Sequence, residues 1–169
     1  MKIGDIVVVI GNSSISKLIQ KTVDSKWTHV SLYIGGGYFL EIDWNTKASL
    51  VKDPYTFGEL DYVVLRSKER LTKNQQLSIT SVACRYNKTG NKYDWLLLLA
   101  LYLKTKWPRW KFLKRLNEKN SYVCTELVSK VMEEVGVDLF PGHDGIIYPH
   151  DFLTCDKLQP VLFAKNKVS

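Results

Sequence analysis

Residues 28–43 read THVSLYIGGGYFLEID. Apolar and polar residues alternate on either side of three consecutive glycines, the pattern of two antiparallel strands joined by a tight turn. Taking Gly35 to Gly37 as a three-residue loop pairs Ile34 with Tyr38 and Tyr33 with Phe39. Odd-numbered residues of both strands then share one face, which carries His29, Ser31, Tyr33, Phe39, Glu41 and Asp43. The other face carries Val30, Leu32, Ile34, Tyr38, Leu40 and Ile42, an apolar surface suited to a core. The hairpin thus gathers an imidazole and two carboxylates on one side. Asp43 stands directly opposite His29 and Glu41 stands diagonal to it; either can orient the ring and stabilise its cation, and spacing leaves the choice open. A one-residue slip would send Glu41 to the other face.

The flanking elements extend this hairpin into a sheet with helices. DIVVVI at 5–10, bounded by Gly4 and Gly11, is a β-branched strand, and DYVVLRS at 61–67 is another. SSISKLIQKTV places Ile15, Leu18, Ile19 and Val23 at helical spacing behind serine caps. A second helix opens on a Thr72–Gln75 capping box, shows Ile79, Val82, Ala83 and Tyr86 on one face, and stops at Gly90. Cys84 lies inside it and reads as a core residue. An apolar helix is expected from Tyr93 through WLLLLALYL at 95–103, and PVLFA near the end is a last strand. The order strand, helix, hairpin, strand, helix, helix, cysteine helix, strand predicts an α+β domain, a small antiparallel sheet packed against helices. With no repeat or linker to divide it, residues 1–169 read as one domain.

Composition narrows the partners. The formal net charge of +7 favours anionic partners such as an acidic cell-wall polymer or anionic lipid. The basic residues are dispersed and come with no nucleic-acid-binding motif, so nucleic acid is not expected. KTKWPRWKFLKRL interleaves aromatic and basic residues; it reads first as a partly buried segment with solvated charges, and second as a lipid-surface contact through Trp107, Trp110 and Lys111. The three cysteines, Cys84, Cys124 and Cys155, match neither a redox pair nor a zinc set, so free thiols and no metal or organic cofactor are expected. The opening residues read as a strand rather than a signal peptide, and no apolar run reaches the ~20 residues of a membrane-spanning helix. The expectation is a cytoplasmic protein, or one released or delivered by another factor.

NSYVCTELVSKVMEEVG at 120–136 then carries the chemistry. Leu127, Val128, Val131, Met132 and Val135 recur at helical spacing and Gly136 supplies the stop, which puts Cys124 in the first turn. A helix N-terminus offers N–H groups and positive partial charge that favour a thiolate and can bind a developing oxyanion. On helix position alone, Cys124 is balanced between a buried filler and a nucleophile. His29, His143 and His150 are the available bases; the last two sit in turn-rich FPGHDG and YPHDF and read as loop histidines without function. Cys155 reads as packing, and Tyr93 or Tyr122 as an added oxyanion donor or a structural residue.

GDIVVV, SISKLIQ, THVSLYIGGGYFLE, YDW at 93–95, YVCTELVSKVMEEVG and YPHDFL, in that order, resemble the NlpC-type papain-like cysteine hydrolases in their circularly permuted branch, which includes YiiX-like proteins and lecithin:retinol acyltransferase relatives. The resemblance covers most of the chain. It implies Cys124 as nucleophile, His29 as base and then acid, and Glu41 rather than Asp43 as the orienting group, because Glu41 holds the family's position after the turn. It implies cleavage of an amide, in a cell-wall peptide, through a thioester. The alternatives are a lipid-directed thiol esterase or acyltransferase and a catalytically silent binding module. Ser31 stands where these proteins often have glycine, which implies a narrower cleft. Residues 107–120 match no family motif.

Overall fold

Five consecutive apolar residues, IVVVI, make the strand at the middle of the sheet, because a strand covered on both faces needs no alternation. In the computed structural model, which describes residues 1–43, 45–55, 60–94, 121–143 and 145–164, this strand is β1 (Ile6–Ile10). It is followed by α1 (Ser14–Val23), β2 (His29–Gly35), β3 (Tyr38–Glu41), β4 (Ser49–Lys52), β5 (Asp61–Ser67) and α2 (Lys73–Thr89). Then come β6 (Lys92–Tyr93), β7 (Ser121–Tyr122), α3 (Cys124–Glu134), α4 (Asp151–Thr154) and β8 (Leu158–Ala164). Six strands form one antiparallel sheet in the order β4-β3-β2-β1-β5-β8, while β6 and β7 pair in parallel as a separate ribbon.

The two faces of β1 bury different things. Ile6 and Val8, with Val30, Leu32, Leu40, Val63 and Leu65, pack against Ile79 and Ala83 of α2 and Leu127, Val128, Val131 and Met132 of α3. Val7 and Val9 face the other way, into a smaller cluster with Phe39, Tyr55 and Val64. The α+β architecture is therefore as expected, with the helix layer on one face of the sheet.

Helices α2 and α1 begin as their caps predict. Thr72 and Gln75 exchange side-chain and backbone hydrogen bonds ahead of α2, and Gly90 ends it in the left-handed region (φ 62°). Ser13 accepts from the Ser16 N–H ahead of α1. That helix buries none of its residues completely: Ile15, Leu18, Ile19 and Val23 stay half-buried.

The hairpin departs from expectation at its tip. Gly35 pairs with Tyr38, and the register shifts between Tyr33 and Gly35, so one extra residue enters β2 as a bulge. The turn itself is Gly36–Gly37, both at positive φ (61° and 81°), as a two-residue hairpin loop requires. Tyr38, at the turn end of β3, is 42% exposed rather than part of the core. The bulge lies on the turn side of the Tyr33–Phe39 pair, so the expected register toward His29 and Glu41 is kept, with Leu32 opposite Leu40.

Other expectations need correcting. Cys84 is exposed on α2: the buried stripe runs through Ile79, Ala83 and Tyr86, and Cys84 is turned about 100° from Ala83. Tyr93 belongs to strand β6 rather than to the start of a helix. The apolar run at 95–103 and Trp107, Trp110 and Lys111 lie outside the described residues. No helix among the described residues is long and apolar enough to cross a membrane.

Candidate active site

Strand β2 begins at His29 and β3 ends at Glu41, so both side chains lie at one end of the sheet, where β1 finishes and Val9 pairs with His29. The Thr28 N–H donates to Val9 O (2.9 Å), and Thr28 Oγ1 accepts from the Gly11 N–H (2.9 Å). These bonds fold the segment after β1 over the strand ends. Gly11 is needed there: a Cβ would meet Ser16 Oγ at 2.2 Å and Thr28 Oγ1 at 2.8 Å.

Cys124 arrives from the helix layer as the first residue of α3 and is 7% exposed. Apolar packing of Leu127, Val128 and Val131 against the sheet fixes the helix, and the Glu126 carboxylate accepts from the Val123 N–H (3.3 Å). The first N–H groups of a helix have no intrahelical acceptor, so those at Cys124 and Thr125 belong to an end that can receive negative charge.

These pieces meet in a cavity of about 260 Å³ whose wall includes His29, Glu41, Tyr55, Cys124, Ser13 and Ser16. His29 Nε2 lies 3.8 Å from Glu41 Oε1, an ion-pair separation rather than a tight hydrogen bond, and the ring is within reach of the Cys124 thiol. Burial alone would push the imidazole pKa down, but the Cys124 side chain and then Glu41 outweigh it and raise it well above the ordinary value. Burial likewise works to raise Glu41, and here His29, helped by Tyr55, wins and lowers it.

Tyr55 is the residue that sequence reasoning missed. Its hydroxyl donates to Glu41 Oε1 at 2.5 Å, and its ring is fixed edge-on against Phe39 (centroids 5.3 Å). Burial and the Glu41 charge push its own pKa well above the usual tyrosine value, so it stays a donor. The signal available was weak: an aromatic residue in the turn-rich DPYT, far from the hairpin in sequence.

The remaining candidates separate cleanly. Asp43 lies past the end of β3, exposed on the rim of the same cavity, where its carbonyl accepts from Thr46. The ion pair with His29 is made by Glu41. Ser31 is fully buried within β2. Tyr122 packs against Tyr86 (5.8 Å) and lines a groove on another side of α3, away from the Cys124 cavity; the Tyr93 side chain lies outside the described residues. His143 is exposed, and His150 sits beside Asp151 at the start of α4. Cys155 donates to Leu139 O at 3.2 Å, as a packed thiol.

No protein-family model matches the chain, and no curated protein sequence does. The fold has a known counterpart. The crystal structure of the metalloprotein YiiX (DUF1105) from Escherichia coli O157:H7 superposes with a TM-score of 0.68, at 19% identity, over 97% of this chain and 98% of that one. The chain therefore has a YiiX-like fold. YiiX is described as a metalloprotein; among the described residues here, no three or more His, Cys, Asp or Glu side chains converge closely enough to hold a metal ion.

Proposed function

We propose that this chain is a thiol hydrolase of the permuted papain-like kind, cleaving an amide bond through Cys124, His29 and Glu41. The observation that carries the reading is one imidazole that shares a cavity wall with a helix-N-terminal thiol and forms an ion pair with a half-buried carboxylate. The Cys124 proton passes to His29 and Sγ attacks the carbonyl carbon. Backbone N–H groups of the first turn of α3 take up the oxyanion. As the C–N bond breaks, the imidazolium gives its proton to the departing amine and leaves a thioester. Water, deprotonated by His29, then forms the C–O bond, the S–C bond breaks, and the proton returns to sulfur. Glu41 acts through His29 as a positioning residue, and Tyr55 through Glu41.

The net charge of +7 supports an anionic substrate, for which a cell-wall peptide on an acidic polymer is the best match. The test compares wild type with Cys124→Ala on peptidoglycan fragments and on phospholipid esters. Amide turnover by wild type alone is expected. Turnover restricted to lipid esters would replace this substrate class with the lipid-directed one, and labelling of Cys84 or Cys155 by an electrophile with Cys124 inert would remove the nucleophile.

A further inference from the structure

Cys124 has a second neighbour besides the cavity that holds His29. A groove of about 40 Å³ runs along the other side of the thiol, walled by Val23, Val123, Ile146, Ile147 and Pro149 with almost no polar surface. The cysteine, Thr28 and Ile19 belong to both walls, so the two spaces adjoin at Cys124. The groove is built rather than incidental. Thr125, itself 2% exposed, donates from Oγ1 to Ile147 O at 2.7 Å, tying the 146–149 segment to the first turn of the cysteine helix. The Tyr148 N–H donates to Asp151 Oδ2 (2.7 Å) and holds the far end of that segment to α4.

Acid catalysis tells the two sides apart. The leaving group must take its proton from the imidazole, so it has to lie in the polar cavity with His29. The acyl part must then extend the other way. Resting on the thiol-hydrolase reading, we infer that this groove is the acyl-side subsite and selects substrates with a short aliphatic side chain next to the scissile carbonyl, with a polar leaving group on the far side. The groove is small and apolar, so it suits a short side chain of alanyl to valyl size. A charged side chain would lose its hydration there without a partner.

The experiment measures alkylation of Cys124 in the full chain by N-acetyl-aminoacyl chloromethyl ketones, in which Sγ–C forms and chloride leaves. Glycyl, alanyl, valyl, aspartyl and lysyl probes are compared, with iodoacetamide reporting the thiol itself. The valyl probe is expected to react about tenfold or more faster than the aspartyl and lysyl probes, the discrimination that one or two methylenes give in an apolar pocket. Val23→Phe, which fills the groove from the surface of α1, and Ile146→Ser, which makes it polar, should each bring the valyl-to-glycyl rate ratio toward one. Equal rates for valyl and aspartyl probes, or a ratio that ignores both substitutions, would overturn the subsite while leaving the nucleophile in place. Failure of iodoacetamide to alkylate Cys124 would overturn the hydrolase reading and the subsite with it.

Discussion

Among the described residues two histidine–carboxylate pairs stand out, His29 with Glu41 and His150 with Asp151, at similar separations of 3.8 and 3.5 Å. Their surroundings are opposite. The first pair comes from two strands, its side chains only 20% and 15% exposed; a thiol lies within reach of the ring, and a tyrosine hydroxyl holds the carboxylate. The second pair consists of sequence neighbours at a short helix start, 37% and 31% exposed. Its ring stacks on Tyr148, and its carboxylate is occupied by the Tyr148 N–H. Residue types alone therefore do not distinguish a reactive pair from a turn device. What distinguishes them is which third group each partner touches.

Substitution of the two histidines tests that contrast most severely. His29→Ala should lower amide turnover and Cys124 alkylation by about 10²–10⁴-fold, the range of general acid–base catalysis. His150→Ala should leave both within about threefold, since His150 does not line the cavity. Comparable losses from both, measured as kcat/KM on the same amide, would erase the distinction drawn here.

The carboxylates come next. Glu41→Gln should reduce kcat/KM by about tenfold to a hundredfold, at or below the lower end of the acid–base range, because the base remains but loses its orienter. It should also move the pH profile, and the direction follows from charge. The reactive form pairs sulfur with an imidazolium, so activity falls as pH rises through the raised His29 pKa. Removing the Glu41 charge withdraws one of the influences that raise it, so the alkaline limb shifts to lower pH. An Asp43→Asn variant showing that shift, with Glu41→Gln silent, would transfer the orienting role to the rim carboxylate.

How much of this could be read from the chain depends on how local each feature is. Thr72 and Gln75 are three residues apart and contain their own instructions, so the start of α2 was legible. The Tyr33–Phe39 register was legible because alternation forces it. The bulge at Gly35 was not, since three successive glycines fit two loop lengths equally well. β4 was missed because SLVK is short, half-buried and on the sheet edge, where no apolar pattern is needed. Within the site, Cys124 and His29 could be found from a helix start and a strand face. Tyr55 could not, because only the folded chain brings a loop residue to a carboxylate 14 positions away.

Tyr55→Phe probes that non-local part with a smaller effect. It removes the hydroxyl donor and keeps the ring against Phe39. A hydrogen bond to a charged group contributes about 1.5–3 kcal/mol, so a loss of about tenfold in kcat/KM is expected. Stability should change in a defined window. Glu41 is lowered in the folded state, so it contributes stability that is present above the unfolded carboxylate pKa and lost as pH falls through the folded one. Without the tyrosine donor that gap narrows, and the variant should lose less stability on acidification than wild type. Urea titrations from neutral pH to about pH 3 would show it, and an unchanged acid slope would mean that Tyr55 only packs.

The smallest effect on chemistry belongs to Asp151→Ala. The carboxylate accepts from the Tyr148 N–H at 2.7 Å and lies 3.5 Å from His150, so its loss should cost about 1 kcal/mol of stability. Iodoacetamide labelling of Cys124 should stay within about twofold, because neither His150 nor Asp151 lines the cavity. The same variant has one finer consequence. Asp151 fixes the end of the 146–149 segment that walls the apolar groove, so the valyl-to-glycyl preference should weaken before the thiol's own reactivity does. If labelling and side-chain preference fell together, α4 would be acting on Cys124 itself, and the second pair would be part of the site after all.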